Sequence, residues 1–558
     1  MRREQKQYLE RFQDRVSFDK TERKLYGHDI AAIPNLIKPL VGNTTPDAVV
    51  QPKSEEELAS LVAWAYQENI PLTPRGKASS GYGGTIPVKQ GLVVDFHHMK
   101  EVIAIDEEEM TAVVQPGITW EQLDRELKPR GLTIRLYPTS YPSSSVGGWL
   151  AQGGAGIGSY EYGYFSENVI SARVVLASGE VRTFKGEDLD LIADAEGITG
   201  FISQVTVQIQ PLEEIDVLSL ACTTPEDLQE LLVDLHRADL PIWSMMFINP
   251  RMAEMKNRSP LREHQGHPDE DRVILPASYI LTLAFRHKDA DLIRSQVPEL
   301  IDKHKVEILS DRISEHEWKN RFKIMVVKRL GPSLVPAEVI VPLSSVEKVM
   351  EEIERLVDHP VIKEGVIVQR EENQEPEVAI LGFIPSDERK LGYNFVFGLA
   401  LTIMKIAKKH GGRPYATGLY FSKKADEILG EKRVRKLKAF KKEADPKNLL
   451  NPNKVIGNGL MGMMLNLAST FEPVIRPLGN AVITQVGERP DEPVRDIPED
   501  VAWYAYACSQ CGYCVDSCDQ FYGRGWESQS PRGKWFWLRE YMEGREEWNQ
   551  KMVDSIMA

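Results

Sequence analysis

Apolar and polar positions along the chain switch between two periods. From Lys53 to Gln67, KSEEELASLVAWAYQ, apolar side chains recur at helical spacing behind Ser54, which suits a cap, with acids in the first turn. The short apolar run Ile70 to Thr73 predicts a buried strand, and GLVVDF, EVIAID and TAVVQPG, residues 91–96, 101–106 and 111–117, predict three more. Helical spacing returns from Thr119, as cap, to Leu127. ENVISARVVLASGEVRTF, residues 167–184, predicts two strands joined by a Ser-Gly turn, followed by a further extended stretch in ITGFISQVTVQIQPL. Beyond residue 213 strands such as DVLSLACTT and SYILTLAF alternate with helices such as PEDLQELLVDLHRA, the pattern of an antiparallel sheet covered by helices. The fold class expected is α+β. Short strands without a strict βαβ repeat argue against a Rossmann dinucleotide domain.

The first 45 residues predict a helix and a connector. Met252 to Arg272, charged and rich in His and Pro, predicts a mobile loop, with His264 and His267 read as solvated rather than as metal ligands. A chain of 558 residues with 42% hydrophobic positions has material for three or more domains. It has no run of eighteen apolar residues, and its start lacks the apolar middle of a signal peptide, so a cytoplasmic protein without a transmembrane segment is expected. A net charge of −14 argues against a nucleic-acid partner.

Two loops carry the first candidate chemistry. Pro74 to Pro87, PRGKASSGYGGTIP, holds four glycines that let backbone N–H groups approach a phosphate, and Arg75 adds a fixed charge. Pro138 to Gly158, PTSYPSSSVGGWLAQGGAGIG, holds six glycines and five serine or threonine hydroxyls. Together they are suited to close on a pyrophosphate from two sides. GGAGIG within the second loop lacks the G-x-G-x-x-G spacing of a nucleotide fingerprint.

These loops, with VQPGITWEQL at Val114 to Leu123 and GITGFISQVTVQI at Gly197 to Ile209, resemble the FAD-binding domain of the vanillyl-alcohol oxidase superfamily, which includes FAD-linked D-lactate and glycolate dehydrogenases. The resemblance spans residues 46–455. It implies an FAD-binding domain over 46–212, a substrate-capping domain over 213–455, and FAD contacts from Arg75, Gly76, Lys77, Ala78, Ser79, Ser80, Gly81, Pro138, Thr139, Ser140, Ser144, Gly147, Gly148, Gly153, Gly154, Gly197, Gly200, Phe201 and Ile202. The first loop lacks the histidine or cysteine that tethers the flavin in many relatives, so non-covalent FAD is expected. Flavin dehydrogenation needs a cation for a substrate carboxylate and a base for a hydroxyl proton. Trp318 and Arg321 resemble the family's W-x-x-R segment, with Lys328 and Arg329 as further cations. The family's histidine-bearing GDGN segment has no counterpart in VAILGFIPSDERKLGYNF, which puts a metal-assisted mechanism in doubt. Only His410 survives from the GEHG segment, and His410, Arg413 and Tyr415 are candidates for base, clamp and acid. ADPKNLLNPNKV resembles the closing DPxxxxNPGK signature and implies Asn451 and Lys454 near the cofactor.

Residues 456–500 predict a linker. It opens with a Met-rich apolar stretch, residues 457–469, read as a packing helix, a partner face or an interfacial anchor, so peripheral membrane contact stays open. It ends in the Pro/acid run ERPDEPVRDIPED.

Over 501–558, a small helical segment, stand Cys508, Cys511, Cys514 and Cys518, with Cys222 far away. C-x-x-C-x-x-C-x-x-x-C is the spacing that holds 4Fe-4S clusters in bacterial ferredoxins, whereas zinc uses two separated knuckles. In two-cluster ferredoxins the fourth cysteine serves the other cluster, so further ligands are expected from a cysteine-rich electron-transfer partner or from sequence beyond Ala558; one cluster on all four thiols is a third option. The expected function is an FAD- and iron–sulfur-dependent dehydrogenase of a small 2-hydroxy acid. The alternative is an electron-transfer subunit with no small-molecule substrate of its own, in the manner of a heterodisulfide reductase.

Overall fold

The computed structural model describes residues 1–558 except 31–32, 35, 260–271, 331–332, 371–373, 483–493 and 558. His264 and His267 lie outside the described residues, as do residues 488–493 of the Pro/acid run.

Two sheets form the FAD-binding half. The first has four strands in the order Val16–Ser17, Ala48–Val50, Leu92–Asp95 and Leu72–Arg75, the last three parallel. The N-terminal segment is thus more than a helix and a connector, since it supplies an edge strand. Helix Glu55–Gln67 starts at Ser54, whose side chain accepts the Glu57 N–H, and buries Leu58, Leu61, Val62 and Ala65 against this sheet. The second sheet is antiparallel and is built around the long strand Phe201–Pro211. A two-stranded pairing, Tyr137–Pro138 with Gly156–Ile157, pins the base of the second Gly/Ser-rich loop.

The capping half is a nine-stranded antiparallel sheet. One face is covered by helices such as Pro225–Arg237, whose Leu228, Leu231, Leu232 and Leu235 are fully buried. Burial of such a side chain contributes about 1.5–3 kcal/mol. The other face turns toward the FAD-binding half, where Trp243 and Met246 pack with Ile157. Part of the stretch read as a loop is helical: Asn249 accepts the Met252 N–H and Pro250 opens helix Pro250–Arg258. The chain then returns to the first sheet, where the Asn451 N–H donates to the Leu72 carbonyl at 2.7 Å.

Residues 456–482 form two helices, Leu460–Thr470 and Glu472–Asn480. Their inner face packs on helix Tyr393–Lys409, while Met463, Leu467, Phe471 and Val474 are exposed. The cysteine segment is helical, as expected, with helices Glu499–Ala507, Asp519–Arg524, Pro531–Met542 and Gln550–Met557. It is not held at a distance by a linker. It packs against the N-terminal segment through Trp526 on Tyr26 and Phe536 on His28, and against both halves of the oxidase body.

Candidate cofactor cleft and cysteine segment

The two Gly/Ser-rich loops face each other across a cleft. Gly76, Lys77, Ala78, Ser79 and Ser80 line one side and Ser140, Ser144, Gly147 and Gly148 the other; Gly197, Gly200, Phe201 and Ile202 close the end. Close approach explains the glycines. A Cβ on Gly147 would stand 2.4 Å from Pro116 Cβ, and one on Gly76 would stand 2.5 Å from Ser145 Oγ.

The walls also carry buried polar atoms without a partner among the described residues, namely Ser80 Oγ, Thr85 Oγ1, Ser144 Oγ and Glu196 Oε1. Leaving such atoms unpaired is costly, so the cleft suits a ligand rich in hydrogen-bonding groups, as FAD is. Glu196 had no signal in the sequence. Burial pushes its carboxyl up to about 8, with Lys454 pulling it back. Asp29, Gly84, Thr85, Pro116, Ser145 and Trp149 are further wall residues that the motifs did not single out.

Other expected contacts lie elsewhere. Gly81, Pro138, Thr139, Gly153 and Gly154 belong to the same loops but are not in the wall. Asn451 and Lys454 brace the first loop from behind: Asn451 Nδ2 donates to the carbonyls of Gly84 at 2.9 Å and Glu196 at 2.6 Å, and Lys454 Nζ donates to that of Ile86 at 2.7 Å. Arg75 turns away. Its neighbour Pro74 lines the cleft, and strand alternation sends the Arg75 guanidinium to the opposite side, onto the His28 carbonyl at 2.8 Å and Glu527 at 3.2 Å.

That opposite side is where the cysteine segment docks. Lys77 Nζ meets Asp516 Oδ1 at 2.9 Å, Ser143 Oγ donates to the Cys511 carbonyl at 2.8 Å, and Arg532 donates to the Lys77 carbonyl at 2.8 Å. Arg532 also pairs with Glu527 at 2.5 Å. Burial pushes the Glu527 carboxyl up, but Arg532 and Arg75 outweigh it and hold it near about 2. The capping half joins in: Lys328 Nζ donates to the Cys508 carbonyl at 2.8 Å, and Tyr513 donates to the Phe322 carbonyl at 2.7 Å.

Within the cysteine run, Gln510 and Gly512 take φ of 59° and 86°, which curls the backbone. Cys518 Sγ points to the Gln529 carbonyl at 3.9 Å. Among the described residues no three His, Cys, Asp or Glu side chains are already gathered as a ligand set. All four thiols are unpaired, and burial pushes Cys508 up and Cys514 up to about 11, so binding a cluster releases protons.

The catalytic candidates separate into three places. His410 ends helix Tyr393–Lys409 and contacts Glu352 at 2.7 Å, away from the cleft. Arg413 pairs with Glu377 at 3.0 Å and donates to the Tyr164 hydroxyl at 3.2 Å, while the Tyr415 hydroxyl accepts the Ala155 N–H at 3.1 Å beside the second loop. Arg321 lies by a second cavity on the FAD-facing side of the large sheet, its guanidinium 3.9 Å from the Trp318 ring centre and 4.5 Å from that of Phe322. Arg329 is half-buried in the turn Ile324–Leu330.

Comparison with known proteins agrees with this architecture. Residues 46–185 match the model of the FAD binding domain, 212–455 that of the C-terminal domain of FAD linked oxidases, and 507–555 that of a 4Fe-4S dicluster domain. The chain is 26% identical over 439 residues to the mitochondrial D-lactate dehydrogenase [cytochrome] of Arabidopsis thaliana, covering 74% of this chain and 73% of that protein. It is 32% identical over 185 residues to the glycolate oxidase subunit GlcD of Bacillus subtilis, covering 32% and 39%. Among solved structures, p-cresol methylhydroxylase superposes with a TM-score of 0.67 at 16% identity, covering 82% of this chain and 98% of that one. Alkyldihydroxyacetonephosphate synthase superposes with a TM-score of 0.65 at 19% identity, covering 81% and 85%. No helix among the described residues is long and apolar enough to cross a membrane. With both halves of the oxidase matched in order and the cysteine segment matched after them, the chain carries the two domains of an FAD-linked oxidase and is an FAD-dependent oxidoreductase with a 4Fe-4S domain.

Proposed function

We propose that this oxidoreductase dehydrogenates a small 2-hydroxy acid and passes the electrons through its cysteine segment to a cysteine-rich partner protein. The observation that carries the reading is the docking of that segment on the back of both cofactor loops, at Lys77 and at Ser143. An oxidase that handed electrons to oxygen would have no use for this contact.

FAD, when bound, supplies a two-electron acceptor, and iron–sulfur clusters relay electrons singly. The chain's own residues bind and orient. Ser80, Thr85, Ser144 and Glu196 offer hydrogen bonds along the cleft, Gly76 and Gly147 let the backbone approach, and the first loop holds neither histidine nor cysteine, which favours non-covalent FAD. Arg321 holds the substrate carboxylate. The unpaired thiols suit a reducing compartment, and the reading places the protein in the cytoplasm.

The second reading is an electron-transfer subunit without its own small substrate. What favours it is His410, which is engaged by Glu352 away from the cleft, so that no histidine among the described residues lines it. Anaerobic mixing of the loaded protein with a panel of 2-hydroxy acids, with flavin bleaching and cluster resonance followed together, separates the two. Reduction of the flavin and then the cluster by at least one acid is expected. If no acid reduces either centre while a reduced low-potential ferredoxin reduces both, the second reading replaces the first.

A further inference from the structure

The helix pair Leu460–Thr470 and Glu472–Asn480 turns outward an apolar face that no other segment among the described residues covers. Leu467 is 51% exposed, Phe471 54% and Val474 67%, and Leu460, Met463, Met464 and Leu478 stand open beside them. From residue 459 to residue 482 every exposed side chain is apolar except Asn466 and Thr470. The face continues onto Leu391 and Phe395 at the start of helix Tyr393–Lys409, because a Cβ on Gly479 would stand 2.9 Å from the Phe395 carbonyl. A contiguous apolar face of this kind marks a surface that something else covers.

The charges around it narrow what that is. Glu472, the acid within the pair, is turned inward, where it accepts the Thr402 hydroxyl at 2.7 Å and meets both Lys405 at 3.3 Å and Arg476 at 3.7 Å. The same excess of cations recurs along the rim. Lys408 and Lys424 share Glu427 at 2.9 and 3.8 Å, Arg389 and Lys390 share Asp387 at 2.8 and 4.0 Å, and Lys423 bonds the neutral Asn458. Asp358, whose N–H donates to Asn480, and Asp426 are the exposed acids of the rim. The border of the face is therefore positive on a chain whose net charge is −14.

A protein partner would need about one hydrogen bond per 100–200 Å² of interface, and this face offers only two polar side chains to make them. A bilayer needs none, since it takes up apolar side chains to a depth of about 5–10 Å while lysine and arginine stems reach up to the phosphates. Helices of 11 and 9 residues are too short to cross, because a spanning helix needs about 20. We propose that the helix pair is a docking face for a lipid bilayer with anionic headgroups and lies in the plane of its surface. Leu467, Phe471 and Val474 enter below the headgroups, and Lys390, Lys405, Lys423 and Arg476 meet the phosphates. The attachment is independent of which substrate the cleft takes.

The test is flotation of the full, flavin-loaded chain with vesicles of phosphatidylcholine containing about one quarter phosphatidylglycerol, beside vesicles of phosphatidylcholine alone. The unaltered protein is expected to float with the mixed vesicles and to partition several-fold less onto phosphatidylcholine. Leu467→Glu and Val474→Glu should each lower the partition coefficient about tenfold or more, whereas Ile103→Glu, at an exposed position on strand Val102–Asp106, should leave it unchanged. Failure of the unaltered protein to float overturns the docking face without relying on any variant, and so does flotation that Leu467→Glu and Val474→Glu leave intact. Equal partition onto the two kinds of vesicle overturns the preference for anionic headgroups. Sedimentation velocity is recorded in parallel. Self-association that Leu467→Glu abolishes, in a protein that does not float, would replace the bilayer with a second copy of this chain.

Discussion

Glu364 stands on strand Ile362–Val368, and burial pushes its carboxyl from 4.5 up to about 7, with Lys256 pulling it down and Glu317 pushing it up. Between these two values the unfolded chain has released the proton and the folded chain still holds it. Stability contributed by this group therefore falls as pH rises through that window, and the full penalty remains above it. Glu364→Gln removes the dependence, so relative to the unaltered protein the variant should gain about 3 kcal/mol between pH 4.5 and 8, read from denaturant melts at both pH values. A pH-independent difference would show that Glu364 is ionised in the fold. Gly147 offers a second check, because its Cβ would press on the Pro116 ring 2.4 Å away. Gly147→Ala should cost about 1–3 kcal/mol at the loop and lower FAD retention on gel filtration roughly tenfold or more. The motifs made Gly147 legible, since a glycine-rich loop announces close backbone approach. Glu196 was invisible, because nothing in ADAEGITG marks a carboxylate that the fold buries beside Gly84. Arg75 shows the converse: the loop was legible, but the side to which a strand-end arginine turns depends on neighbours hundreds of residues away.

The elements themselves were largely legible, because each strand and helix of the oxidase halves carries its own period. Pro250–Arg258 was missed on composition, although Asn249 before Pro250 is a helix-start signal. What local period could not supply was where the cysteine helices dock, since that rests on aromatic, apolar and polar contacts between distant segments. Two predictions belong at this scale. Asp516→Ala leaves Lys77 buried without its partner, a loss of about 3–5 kcal/mol for a buried pair. Hydrogen exchange should then quicken through residues 499–557 while the sheets of the oxidase halves stay protected, and flavin-to-cluster electron transfer should slow. Unaltered exchange there would mean that the pair does not hold the segment. Arg532 places a buried cation beside Cys511 and Cys514. Removing it in Arg532→Gln should lower the cluster's reduction potential in a titration followed by electron paramagnetic resonance, because the reduced cluster carries the greater negative charge.

Seen whole, the molecule brings its two ends together: Lys24 pairs with Glu540 and Glu546, the Ser528 N–H donates to Glu22, and Asp29, a few residues on, reaches the cofactor cleft and accepts the Gly83 N–H at 2.6 Å. The cleft is therefore framed by the first thirty residues and backed by the last sixty, with the oxidase halves between them. The loops that face the flavin on one side are held by the cysteine segment on the other. Two cofactors that order the same loops from opposite sides are thermodynamically linked, and the linkage is reciprocal: whatever factor the assembled cluster adds to the affinity for flavin, bound flavin must return to the cluster. Cys511→Ser, which removes one thiol while leaving the Cys511 carbonyl in place, should therefore bind FAD measurably more weakly than the intact protein in a fluorescence titration. Identical affinities would mean that the shared loops are already rigid. A weaker grip would mean that iron supply governs flavin occupancy, so that iron starvation would empty a flavoprotein whose flavin site contains no iron.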